Sequence, residues 1–108
     1  MTRRTEAQVV RACLDYLKLR RIFAFRNNTG AYKVEERFVR FGSKGSADIL
    51  GILPGGRFLA IECKSLNGRL SPAQGEWGER VRAAGGVYLC VRSVGELIEA
   101  LNPHGLTS

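Results

Sequence analysis

Two acids and a lysine carry the strongest chemical signal in this chain. Asp48 lies near the start of an apolar run, Ala47–Leu53, and thirteen residues separate it from Glu62-Cys63-Lys64, the end of a second run, Arg57–Lys64. Pro54-Gly55-Gly56 lies between the runs and reads as a short turn whose glycines allow positive φ. If Leu53 and Arg57 flank a three-residue turn, Ile52 pairs with Phe58, Leu50 with Ala60, and Asp48 with Glu62. Strand alternation then puts Glu62 and Lys64 on one face and Cys63 on the other. A two-residue turn would set Asp48 opposite Cys63 and dissolve the cluster, so the grouping depends on register.

Two carboxylates about 5 Å apart repel by about 3 kcal/mol at an effective dielectric of about 20. Like charges directly opposite in a sheet are unfavourable, so something positive belongs between them. Lys64 is one candidate and a divalent metal another. Magnesium and manganese favour oxygen ligands, and one or two carboxylates with waters and a substrate phosphate is the usual magnesium arrangement. The carbonyl of Cys63 can add a ligand. The competing reading is plainer: Glu-x-Lys at a strand end is a common surface pattern, and an Asp after Gly-Ser is often a turn or cap residue.

Elements around these residues must position them. Thr5-Glu6-Ala7-Gln8 has capping-box spacing, and Val10, Cys13, Leu14 and Leu17 recur at helical spacing, which predicts a helix from about Thr5 to Arg21. Ile22–Arg26 reads as a strand, Asn27–Glu36 as a polar loop, Arg37–Phe41 as a short strand or loop edge, and residues 42–46 as a glycine-rich loop. The hairpin Ala47–Lys64 follows. Ser71 with Pro72 opens a helix that stops at Gly85-Gly86. Val87–Val91 reads as a buried strand, and Ser93-Val94-Gly95-Glu96 opens a last helix to about Leu101, stopped by Pro103. The order predicts an α/β chain, a mixed central sheet with helices on its faces.

The chain has 108 residues, the size of one domain, 1–108. Seventeen Lys and Arg against ten Asp and Glu give a net charge of +7. Up to Lys64 there are 13 basic and 6 acidic residues; from Ser65 onward there are 4 of each. Thirteen of the basic residues are arginine, the better fork for phosphate oxygens. Charge concentrated in one part of the chain suggests a polyanionic partner, although a solubility surface would look similar. There is no apolar run of transmembrane length and no secretory leader pattern. Cys13, Cys63 and Cys90 are far apart and odd in number, which fits neither a disulfide framework nor a zinc set. A cytoplasmic, reducing setting is expected, in which they act as small apolar residues.

Asp48 followed by Glu62-Cys63-Lys64 resembles the PD-(D/E)xK nuclease signature, most closely the virus-type replication-repair nuclease (VRR-NUC) domain in its stand-alone form. That pattern has an early-helix Glu, a Gly-x-x-Asp strand start, a Glu-x-Lys strand and a following helix with a Gln. Here these are Glu6, Gly45-Ser46-Ala47-Asp48, Ile61-Glu62-Cys63-Lys64 and Leu70-Ser71-Pro72-Ala73-Gln74. Ala47 stands where proline often precedes the aspartate; that position is not a ligand.

The resemblance implies a restriction-endonuclease-like αβββαβ core and hydrolysis of DNA phosphodiesters with Mg2+ or Mn2+. It implies that Asp48, Glu62 and the Cys63 carbonyl hold the metal, with Glu6 reaching the site directly or through water. It places Lys64 on the attacking water or the phosphate, and Gln74 beside Lys64, water or phosphate. Read alone, Glu6 also suits a helix N-terminus and Gln74 a helix surface. Lys33, Arg37, Arg40, Lys44 and Ser46, with Tyr32, precede Asp48 and form a candidate DNA-backbone track. Trp77 reads as a core or interface aromatic, and His104 as unconnected with the chemistry. Similar minimal domains resemble Holliday junction resolvases, which act as homodimers, so a structure-specific endonuclease on branched DNA in a bacterial or phage-infected cell is expected. Competing readings are a nicking or flap nuclease, a non-catalytic DNA-binding module and an RNA-processing enzyme.

Overall fold

The first helix, α1 (Glu6–Leu19), starts where Thr5 caps it: Thr5 Oγ1 accepts from the Gln8 N–H at 3.1 Å, and the Gln8 side chain accepts from the Thr5 N–H at 2.8 Å. The computed structural model describes residues 4–28 and 30–105, with side chains for all of these except 30–33, 40 and 41. α1 ends two residues before the expected Arg21, because Arg21 turns into the left-handed region (φ 58°) and starts the chain towards the sheet.

Six strands follow in chain order with two more helices: β1 (Phe23–Arg26), β2 (Gly30–Val34), β3 (Arg37–Phe41), β4 (Ile49–Ile52), β5 (Phe58–Cys63), α2 (Pro72–Ala83), β6 (Val87–Val91) and α3 (Val94–Leu101), then a short 3-10 turn, Asn102–His104. The central sheet has the order β1-β4-β5-β6. β1–β4 and β4–β5 are antiparallel and β5–β6 is parallel, because α2 carries the chain back across the sheet between the last two. The mixed sheet is the expected one.

Its two faces have different covers. Val9, Cys13 and Leu17 of α1 and Leu97 and Leu101 of α3 bury one face, against Ile49, Leu59 and Ile61. α2 covers the β5–β6 half of the other face, where Ala60, Val81 and Tyr88 pack with Trp77. Gly78 permits the close approach of α2: a Cβ there would lie 2.5 Å from the Tyr88 ring. Trp77 is half-buried and meets Phe58 and Tyr88 edge-on, the packing role expected of it.

The expected loop Asn27–Glu36 is partly wrong. Gly30–Val34 is a strand, paired with Arg37–Phe41 in a separate two-stranded sheet. A two-residue turn, Glu35-Glu36, closes it, with Glu35 at φ 57°. No Asn-Gly or Asp-Gly marks that turn, and Asn27-Asn28-Thr29-Gly30 ahead of the first strand reads as loop. Arg37–Phe41 is therefore a strand, though not of the central sheet. The hairpin is inserted in the chain between β1 and β4.

Cys13 and Cys63 are buried, Cys90 is half-buried, and all three are free thiols. His104 lies 3.3 Å from the Arg57 guanidinium through Nδ1, far from any acid–base role. Among the described residues, no helix is long and apolar enough to cross a membrane.

Candidate active site

The turn at Pro54-Gly55-Gly56 has three residues: the Leu53 N–H donates to the Arg57 carbonyl at 2.8 Å, and Ile52 pairs with Phe58, Leu50 with Ala60, Ile49 with Ile61. This is the register on which the carboxylate cluster depends. Asp48 lies one residue beyond the ladder, and its Oδ2 accepts from the Cys63 N–H at 2.9 Å. That bond ties the start of β4 to the end of β5 and leaves the other carboxylate oxygen for other contacts.

Glu62 is 2% exposed, and Lys64 is also buried. Lys64 Nζ lies 3.4 Å from Glu62 Oε2 and 3.8 Å from Glu6 Oε1. Glu6 thus meets the lysine from the rim, where its side chain is half exposed. Gln74 Nε2 donates to Glu62 Oε2 at 3.1 Å. The capping box of α2 fixes how that amide points: Gln74 Oε1 accepts from the Ser71 N–H at 2.8 Å, and Ser71 Oγ accepts from the Gln74 N–H at 3.2 Å. One residue therefore caps the helix with its oxygen and holds Glu62 with its nitrogen.

Glu62 Oε1 is buried and has no hydrogen-bond partner. Its carboxyl is pushed up from 4.5 to about 7, first by burial, then by the negative charge of Asp48, against the opposing pull of Lys64. An orphaned carboxylate oxygen beside a second carboxylate is costly unless a cation or a proton neutralises it. The donor set fits a hard divalent ion: two neighbouring carboxylates, one of them with a partnerless oxygen. The Cys63 thiol takes no part, since it sits on the other face in contact with Cys13, which together with burial pushes it up. Among the described residues, no three His, Cys, Asp or Glu side chains gather as a ready-made cage. Glu6 is engaged with Lys64 rather than joined to a three-carboxylate group.

The VRR-NUC domain family model matches residues 3–94. The chain belongs to the VRR-NUC family. A nuclease-type function acting on DNA follows from that membership. No curated protein and no solved structure matches the chain.

Other expected site residues of this VRR-NUC domain are spread along its hairpin and the loop after it. Lys33 and Arg40 lie on β2 and β3, and their side chains, with that of Tyr32, fall outside the described ones. Arg37 and Lys44 are exposed. Ser46 is committed elsewhere: its Oγ accepts from Asn27 Nδ2 at 2.8 Å. Gly45, at φ 79°, packs so closely on α2 that a Cβ would collide with the Ala73 carbonyl, which seats the glycine loop against the helix that carries Gln74.

Two residues of the VRR-NUC site escape sequence reasoning. Asn27 also donates to the Ala47 carbonyl at 2.9 Å, and its N–H donates to the Asp48 carbonyl at 2.7 Å, so it clamps the segment that delivers Asp48. The only signal in the sequence is an Asn at a strand end. Tyr88, which reads as one more apolar strand residue, donates through its hydroxyl to the Gln74 carbonyl at 3.4 Å and supports the first turn of α2.

Proposed function

We propose that this protein is a Mg2+- or Mn2+-dependent endodeoxyribonuclease that hydrolyses phosphodiester bonds in branched DNA such as Holliday junctions, acting as a homodimer. The observation that carries the reading is the buried, partnerless oxygen of Glu62 beside Asp48, with Lys64 and Gln74 against the same carboxylate. That pairing is unfavourable in isolation and becomes favourable around a cation.

Asp48 and Glu62 would hold the ion, with the Cys63 carbonyl completing the protein ligands. When bound, the ion polarises a phosphoryl oxygen and lowers the pKa of a water. Lys64 is buried at the cluster, so its ammonium acts in a weakly screened environment, where it stabilises charge growing on the phosphate or orients the attacking water. Glu6 and Glu62 both pair with the ammonium, and Gln74 donates to the same Glu62 oxygen that faces Lys64. Asn27 and Gly45 fix the loop before Asp48. The exposed Arg37 and Lys44 extend the positive field towards the DNA backbone.

Phosphate contacts of this kind give little sequence information, which supports recognition of DNA structure. A two-fold dimer would present two sites to two strands of a junction. The reading is tested by cleavage of four-way junction, flap, nicked and plain duplex DNA side by side. Preferential paired cuts across the junction are expected. Cutting of flaps or nicks alone would replace the junction reading with a flap or nicking nuclease, and binding without cutting would replace it with a non-catalytic module.

A further inference from the structure

The sheet face that carries the carboxylates continues into an open aromatic shelf. Pairing sets Asn27, Asp48 and Glu62 in one row across the strands. The next row on the same face is Phe25, Leu50, Ala60 and Tyr88, and the one after is Phe23, Ile52 and Phe58. Rows on one face are two residues apart, about 7 Å. α2 covers the Ala60 and Tyr88 end and leaves the β1–β4 end open. There Phe23 is 67% exposed, Phe25 48% and Ile52 47%. The Phe23 and Phe25 rings stand 6.0 Å apart, tilted by 51°.

We propose that this shelf is a stacking platform for unpaired nucleobases, so that the substrate strand is single or splayed open immediately beside the bond that is cut. This rests on the nuclease reading above. A phosphodiester seated at Asp48 and Glu62 brings its own nucleosides within reach of Phe25, one row away. A paired base in a duplex hides its faces in the stack and shows phenylalanine only edges and phosphates. An unpaired base offers a π-face, and stacking on aromatic side chains beside a basic backbone track is how proteins hold single strands. Charge complements the apolar surface: the chain between β1 and β4 carries Lys33, Arg37, Arg40 and Lys44 against Glu35 and Glu36. That segment leaves and rejoins the sheet at the Asn27–Asp48 row, and its exposed Arg37 and Lys44 supply positive charge for the backbone of a polyanionic strand that reaches the site.

The test measures DNA binding by the whole protein in EDTA, where no cleavage occurs. Fluorescence anisotropy is read with a labelled single strand, a flapped duplex and a fully paired duplex. The single strand and flap also carry 2-aminopurine beside the branch. Phe23→Ala/Phe25→Ala is expected to weaken binding of the single strand and the flap about tenfold or more, with duplex binding within about twofold of wild type. Phe25→Trp is expected to keep wild-type affinity and to quench 2-aminopurine at least as strongly. Circular dichroism confirms that each variant is folded, and an unfolded double variant leaves the Phe25→Trp quenching as the deciding measurement. Equal losses on all three DNAs, or no quenching by wild type and Phe25→Trp, would overturn the proposal. So would a double variant that changes from dimer to monomer in sedimentation with single-strand binding intact, since a second copy would then be what covers the shelf. Wild type that cuts DNA with metal yet shows no single-strand preference sinks the stacking platform alone; wild type that neither cuts nor binds DNA sinks the nuclease reading and the platform with it.

Discussion

Without metal, Glu62 should make the protein less stable as pH rises. Its carboxyl ionises near 4.5 in an unfolded chain and near 7 in the fold, where burial and Asp48 disfavour the charge. Below pH 4.5 the group is protonated in both states and contributes nothing. Between 4.5 and 7 the folded state holds a proton that the unfolded state has lost, so unfolding becomes easier as pH rises. Above 7 the penalty is complete. At about 1.4 kcal/mol per pH unit of separation, that window corresponds to about 3 kcal/mol. Other carboxylates titrate in the same range, so the comparison is with Glu62→Gln, which stays neutral. Urea unfolding in EDTA from pH 4.5 to 8 is expected to show the variant gaining about 3 kcal/mol on wild type across the window. Exchange of a protonated carboxyl for an amide adds an offset that does not vary with pH there, and the pull of Lys64 on the ionised carboxyl is already part of its folded value. Magnesium at pH 8 should restore stability to wild type and not to the variant. Parallel pH profiles for the two proteins would refute the reasoning.

Gly78→Ala should destabilise the fold by about 1–3 kcal/mol, an overpacking cost, because its Cβ would press into the Tyr88 ring; thermal unfolding measures it. Asn27→Ala removes two side-chain hydrogen bonds that hold residues 46–47, at about 1 kcal/mol each. It should weaken metal binding in calorimetry while circular dichroism stays native; unchanged metal affinity would rule out a positioning role. Gln74→Ala removes a cap and a Glu62 contact together, so it should cost about 1 kcal/mol of stability and lower cleavage. Gln74→Glu retains an acceptor for the cap but brings a third carboxylate to Glu62, and should be the less active of the two.

Much of this site is legible because it depends on local rules. The three-residue turn at Pro54-Gly55-Gly56 sets the register, and the register sets Asp48 against Glu62. The box at Thr5 and the Ser71-Pro72 cap place Glu6 and Gln74 at the starts of their helices. The box at Ser93 forms only half: Ser93 Oγ accepts from the Glu96 N–H, but Glu96 reaches the Arg92 N–H instead of that of Ser93. Spacing identifies a cap and does not say which donor a flexible carboxylate will choose. Long-range polar contacts are not legible. Asn27 meets Ala47 only because β1 is the neighbour of β4, and Tyr88 meets Gln74 only because Gly78 lets α2 lie low. The hairpin Gly30–Phe41 is half legible: Arg37–Phe41 alternates as a strand does, whereas the Asn-Asn-Thr-Gly stretch before it disguises the strand that pairs with it. The bond between Gln74 and Glu62 joins two residues that the sequence singles out separately.

The central claim is that Asp48 and Glu62 hold a metal ion whose reaction needs Lys64. The most direct measurement is cleavage of an end-labelled four-way junction by wild type, Asp48→Asn and Lys64→Ala, each in magnesium, manganese and EDTA. Cutting by wild type with either metal, none in EDTA, and near-complete loss in both variants with junction binding retained is the predicted result. Undiminished cutting in EDTA, or Lys64→Ala cutting at the wild-type rate, would contradict it.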